Sequence, residues 1–128
     1  MDLDKAIALN PRLIEAYNNR GISKLNAGDY QGAIDDFDDA LLMKPDFIEA
    51  YNNRGLSKSN SGDLEGAIKD HDNAIKLDPK NAEAYYRRGY AKYKMGNKNG
   101  AIEDLNEAVK LGYSKAKDII KTIQKQEL

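Results

Sequence analysis

The chain has 128 residues, 41% hydrophobic and 32% charged, with a net charge of −1 from 20 basic and 21 acidic side chains. That length supports one domain with a sizeable core, and that balance fits neither disorder nor the strong basic field of a nucleic-acid binder. Disulfides and thiolate metal sites are excluded because there is no cysteine, and no apolar run approaches the ~20 residues of a membrane span. The start, Met1-Asp2-Leu3-Asp4, lacks the basic and apolar regions of a signal peptide. Residues 1–64 hold 7 basic and 11 acidic groups, and residues 65–128 hold 13 and 10.

Residues 3–10 end at Pro11 and match the segment Asp72–Pro79, which closes a later helix. The chain is therefore expected to open inside a repeat, over residues 1–13, as the second helix of a pair. Two readings of that start stand, a fragment of a longer array or a partial helix used as an N-terminal cap. A first full helix is predicted over 13–27, where Ile14, Ala16, Tyr17, Gly21 and Leu25 recur at helical spacing. Gly28-Asp29 breaks it, because glycine takes the left-handed C-terminal conformation and aspartate caps the next N-terminus. A second helix over 30–43 carries Ala33, Ile34, Phe37, Ala40 and Leu41 on one stripe and stops before Pro45. The pair returns over 47–61 and 64–77, then over 81–95 and 98–111. A last helix places Ala116, Ile119, Ile120 and Ile123 at i, i+3, i+4 and i+7 with a lysine-rich back, as a terminal capping helix requires. Without Trp or Phe, that stripe suits a cap better than a membrane surface. Gly32, Gly66 and Gly100 recur inside the second helices, where close backbone approach is the expected reason.

The step between copies is 34 residues. Tyr17-Asn18-Asn19-Arg20-Gly21 returns as Tyr51-Asn52-Asn53-Arg54-Gly55 and, edited, as Tyr85-Tyr86-Arg87-Arg88-Gly89. Pro11, Pro45 and Pro79 keep the same period, as do Gly28, Gly62 and Gly96. A fixed step of this size marks stacked helical hairpins, which generate a superhelix with a concave face. The spacing Tyr17-x2-Arg20-Gly21-x2-Lys24, Ala33-x3-Phe37, Pro45 resembles the tetratricopeptide repeat, a helix–turn–helix unit, over essentially the whole chain. The resemblance implies an all-α, right-handed superhelical solenoid of antiparallel helix pairs. It divides a single domain into residues 1–13, repeats over 14–47, 48–81 and 82–113, and a C-terminal capping helix over 114–128.

The chain departs from the family in a regular way. Arg20 and Lys24, Arg54 and Lys58, and Arg88 and Lys92 stand where leucine and tyrosine are usual, while Asp36, Asp70 and Asp104 recur on the second helices. Pairing of arginine with aspartate inside each hairpin is expected, since a buried arginine left alone is very costly. The alternative is an arginine row facing the groove. His71 takes the inner position held by Phe37 and Leu105 and, having no second ligand in register, is read as a packing variant.

In the family, first helices line the concave face. Carried over, the groove is Asn18, Asn19, Ile22, Leu25 and Asn26, then Asn52, Asn53, Leu56, Ser59 and Asn60, then Tyr86, Arg87, Tyr90, Tyr93 and Lys94, with Glu15, Glu49 and Glu83 beside them. Asparagine suits the backbone of an extended peptide, and the tyrosines offer flat semi-polar anchors. The implied function is a protein–protein interaction scaffold whose ligand places an apolar or acidic side chain near Tyr86, Arg87 and Tyr90. Against it stands a groove whose asparagines merely meet solvent and whose tyrosines pack on neighbouring helices. Family members that clamp chaperone tails use two lysines, two asparagines and an arginine. Only Asn53 and Arg87 match, while Glu83, Asn18 and Ile22 depart, so that ligand class is not expected. A second class is self-association, as a dimer or fibre, through a face at Ala6, Ile7 and Leu9 of the leading half-repeat. No nucleophile–base set and no phosphate-cradling loop points to an enzyme, and no cofactor, metal, nucleic acid or membrane insertion is expected. The run Asp35, Asp36, Asp38, Asp39 lacks calcium-loop spacing.

Overall fold

The structure, a computed structural model, describes residues 12–126. Seven α-helices make it up: α1 (Arg12–Asn26), α2 (Tyr30–Met43), α3 (Ile48–Ser61), α4 (Leu64–Leu77), α5 (Ala82–Lys94), α6 (Lys98–Lys110) and α7 (Ala116–Gln126). Among the described residues there is no strand, and the chain is an all-α helical-repeat solenoid. The leading half-repeat and its face at Ala6, Ile7 and Leu9 lie outside these residues, and Arg12 and Leu13 open α1 instead.

Local chemistry sets the ends. Asp29, Asp63 and Asn97 accept from the amides of Gly32, Gly66 and Gly100 at 3.0, 2.9 and 3.0 Å, capping α2, α4 and α6. These caps also correct the expected role of the three glycines. A Cβ at any of them would collide with the capping side chain itself, so the close neighbour is local and not another backbone. Gly62 ends α3 in the left-handed region at φ 100°, with its amide bonded to the last turn.

Each first helix packs against the second of its pair, and each second helix against the next first helix. In addition, α1 meets α3, α3 meets α5 and α5 meets α7, whereas second helices do not touch one another. The first helices thus stand on the inside of the curve. Hairpins close where the backbones come nearest. A Cβ on Gly21 would sit 2.7 Å from Phe37, whose ring is wholly buried. Gly21→Ala is expected to destabilise by about 1–3 kcal/mol, because the ring has nowhere to yield. An unchanged urea midpoint would contradict this packing.

The core is apolar at both ends and polar in the middle. Leu25, Ala33, Phe37, Leu41 and Ala50 form one cluster. Tyr86, Ala101, Leu105, Ala108, Ala116 and Ile123 form the other, with Ile119 and Ile120 of α7 packed against it. Between them, the large fully buried side chains are His71, Asp70 and Ser57. The amphipathic α7 therefore covers the face that the third hairpin would otherwise expose.

Candidate functional site

The ion pairs decide which charges remain for a ligand. Residues i and i+4 share a helix face, so Arg20 and Lys24 reach Asp36 together. Arg20 Nη2 lies 2.7 Å from Asp36 Oδ1, and Lys24 Nζ lies 3.2 Å from Oδ2. The arrangement returns at Arg54 and Lys58 on Asp70, at 2.6 and 3.2 Å, and at Arg88 and Lys92 on Asp104, at 2.7 and 3.0 Å. Each arginine also donates through Nε, so each aspartate is held by a two-pronged guanidinium. The arginine row is turned into the hairpins and does not face the groove. The buried charge is the aspartate, while the arginines keep a solvent edge. The guanidinium of Arg20 holds the Asp36 carboxyl below the usual carboxylate range.

A second set of bonds runs between repeats. Arg54 Nη1 donates to Asp38 at 2.8 Å and Arg88 Nη1 to Asp72 at 2.9 Å, in each case back to the preceding hairpin. Every partner is sixteen residues away, so each of these arginines ties two hairpins together. Arg20 pairs within its own hairpin and is 59% exposed, against 18% and 19% for Arg54 and Arg88. The position sixteen before it, Asp4, lies outside the described residues.

The residues expected to line the groove divide into two kinds. Asn19, Asn26, Asn60 and Lys94 are exposed, and Ile22, Asn53, Leu56, Arg87, Tyr90 and Tyr93 are half-buried. Asn18, Leu25, Asn52, Ser59 and Tyr86 are buried. Asn52 is committed inside the protein. Its Nδ2 donates to Asn81 Oδ1 at 3.2 Å, so its Oδ1 faces His71 Nδ1 at 3.1 Å as acceptor and the ring nitrogen donates. Asn81 Oδ1 in turn accepts from the amide of Ala84 at 2.9 Å and caps α5. His71 is thus more than a packing substitute for Phe37 and Leu105. It begins a hydrogen-bonded path through α4, α3 and the start of α5.

Tyr86 needs a similar correction. It is only 7% exposed, and its ring lies 4.7 Å from that of Tyr113, tilted by 37°. Burial raises its phenol pKa. It supports the aromatic patch and does not offer an open ring. Tyr93 donates its hydroxyl to Gln126 of α7 at 2.6 Å. Lys94 Nζ lies 4.9 Å from the Tyr90 ring centre, and the Arg87 guanidinium lies 5.3 Å from that of Tyr86. Arg87 Nε is buried and lacks a hydrogen-bond partner among the described residues, since Glu83 stands 3.8 Å away. The groove therefore runs from asparagine and glutamate on α1 and α3 to tyrosine and cation on α5.

Stacked helical hairpins with first helices side by side and an open inner face define the class, a helical-repeat solenoid. The chain belongs to the tetratricopeptide repeat family. A sequence model described as "Tetratricopeptide repeat" matches residues 14–47 and 82–114, and one described as "TPR repeat" matches residues 60–96. No curated protein matches the sequence significantly. Among solved structures, the Sgt2 TPR domain from Aspergillus fumigatus is 26% identical, with a TM-score of 0.84 over 88% of this chain and 78% of that one. The first TPR of Spaghetti (RPAP3), bound to the HSP90 peptide SRMEEVD, is 20% identical, with a TM-score of 0.85 over 91% and 94%. The TPR2B domain of yeast Sti1, in complex with pHsp70, is 20% identical, with a TM-score of 0.84 over 89% and 98%.

Proposed function

We propose that this chain is a protein-interaction scaffold that binds an extended peptide or partner segment along α1, α3 and α5. The observation that carries the reading is the direct contact of first helices with one another while second helices stay apart, which leaves one continuous inner face. The internal pairing of Arg20, Arg54 and Arg88 supports it, since it leaves that face polar and adaptable. The accessible contact residues are Asn19, Ile22, Asn26, Asn53, Leu56 and Asn60, then Arg87, Tyr90, Tyr93 and Lys94. Asn53 offers its amide to ligand backbone, and Tyr90 supplies the rigid apolar surface. Arg87, with its hydrogen bonding incomplete, takes a carboxylate or carbonyl.

The HSP90 peptide bound by the RPAP3 neighbour and the pHsp70 complex of the Sti1 domain support the class of ligand. An acidic chaperone tail is not the ligand proposed, because Glu83 stands beside Arg87 and glutamates border the other two first helices. Peptides selected from a random displayed library test the reading by fluorescence anisotropy. Asn53→Ala/Tyr90→Ala is expected to weaken the selected peptides by at least about tenfold, with helicity unchanged. Glu103→Ala on the outer helix α6 should leave affinity as it was. Equal affinity for all three proteins would place binding elsewhere.

A further inference from the structure

The cleft between α1 and α3 differs from its counterpart one repeat later, and the differences share a chemical sense. In the later cleft Asn81 caps α5, accepts from Asn52 and so completes the path from His71. One repeat earlier, Phe47 stands at the capping position of α3 and makes no side-chain cap bond. An uncapped helix start is destabilising. Asn18, the counterpart of Asn52, faces a repeat in which Phe37 replaces His71. It is 4% exposed, its Oδ1 has no hydrogen-bond partner among the described residues, and its Nδ2 reaches Glu49 only at 3.4 Å. A buried amide oxygen left unsatisfied is destabilising as well.

These two departures meet in one open cleft of about 580 Å³, lined by Asn18, Glu15, Glu49 and the Phe47 ring among others. Two carboxylates and an aromatic face at the surface, with a buried acceptor behind them, are what a cation with several N–H donors needs. The cleft already shows the contact in small. Lys44, an exposed side chain at the rim, holds its ammonium 5.0 Å from the Phe47 ring centre.

We propose that this cleft is the subsite for a cationic side chain, arginine or lysine, of the bound peptide. The proposal rests on the groove reading above and adds polarity to it, with the cation between α1 and α3 and the acidic or carbonyl group at Arg87. Lys44 swings off the ring as the incoming cation arrives.

Acetyl-Ala-Ala-Arg-Ala-Ala-amide and its glutamine and glutamate congeners are the probes, titrated into 15N-labelled protein and followed by amide shifts. The arginine peptide is expected to move Glu15, Asn18, Asn19 and Glu49 saturably. Its dissociation constant should lie at least about fivefold below that of the glutamine peptide, with the margin shrinking as salt is raised. Glu15→Gln/Glu49→Gln, both at exposed positions, should bring the two peptides within about twofold of each other. Phe47→Leu, which keeps apolar bulk without the ring, should lower the arginine preference alone. Equal shifts for arginine and glutamine peptides overturn the subsite, as does a response at Arg87 to Lys94 with the cleft unmoved. Neither outcome touches the groove itself, which fails only if library-selected peptides ignore Asn53 and Tyr90.

Discussion

Asp70→Ala is expected to destabilise the protein by about 3–5 kcal/mol, whereas Asp38→Ala should cost less than about 1 kcal/mol. Both aspartates bind Arg54, so the contrast isolates burial from pairing. The Asp70 carboxylate accepts from Arg54 at 2.6 and 3.0 Å, lies 3.2 Å from Lys58 Nζ and is almost wholly enclosed. Removing it leaves Lys58 without its counter-charge and Arg54 with only the half-exposed Asp38, in a partly buried site. Asp38 is half in solvent, and its loss removes a single bond of 2.8 Å while Arg54 keeps Asp70. Urea unfolding followed by circular dichroism measures both. Equal midpoints would contradict the assignment of the buried charge. Large losses on removing one partner do not mean that the pair adds net stability, since well-packed apolar replacements of such groups are often as stable. What the geometry provides is register, because Arg54 can satisfy Asp70 and Asp38 at once in only one stacking of the hairpins.

Acidification between pH 7.5 and 5 is expected to remove about 2 kcal/mol of stability, and His71→Phe should abolish most of that loss. Burial pushes the His71 pKa down from 6.5 to about 4, an effect that outweighs the opposing influence of Asp70 and Asp72. Arg87 and Arg88 act in the same direction as burial. A histidine held neutral in the fold but free to protonate when unfolded contributes stability that is whole above pH 6.5. That stability drains away as the pH falls toward 4, because only the unfolded chain takes up the proton. It is the one histidine in the sequence, so this window belongs to it. Because Nδ1 already donates to Asn52, the proton would enter at Nε2, and the cost is that of charging a buried ring while the link from α4 to the α5 cap is kept. Stability curves at pH 7.5 and 5 decide the matter. A wild type as stable at pH 5 as at 7.5 would contradict the burial of a neutral ring.

The periodic features were legible because each was written three times. Tyr17, Gly21, Ala33 and their copies specify hairpins through size and spacing, and Arg20 with Asp36 is a helix-to-helix pair whose separation repeats. The inter-repeat bonds of Arg54 and Arg88 were legible too, in Asp38 and Asp72 at the 34-residue period and sixteen before each arginine. They join neighbouring repeats, so no single copy of the unit contains both partners. The groove was harder. Asn52 resembles Asn53 as a sequence symbol, and only the convergence of His71 and Asn81 from two other segments shows that its amide is already committed. Tyr86 is covered by Tyr113, which stands where the 34-residue period would place a fourth proline, so the repeat pattern does not foretell the contact. Phe47 and Asn18 carry the opposite lesson. They break a capping rule and leave an acceptor unpaired, and the proposed cation subsite rests on that local failure.

The most direct test of the account is an amide-shift map of the protein saturated with a library-selected peptide. Perturbations are expected along α1, α3 and α5, centred on Asn19, Asn53 and Tyr90, with α2, α4 and α6 quiet on their outer faces. Perturbations confined to those outer helices, or to α7, would contradict it.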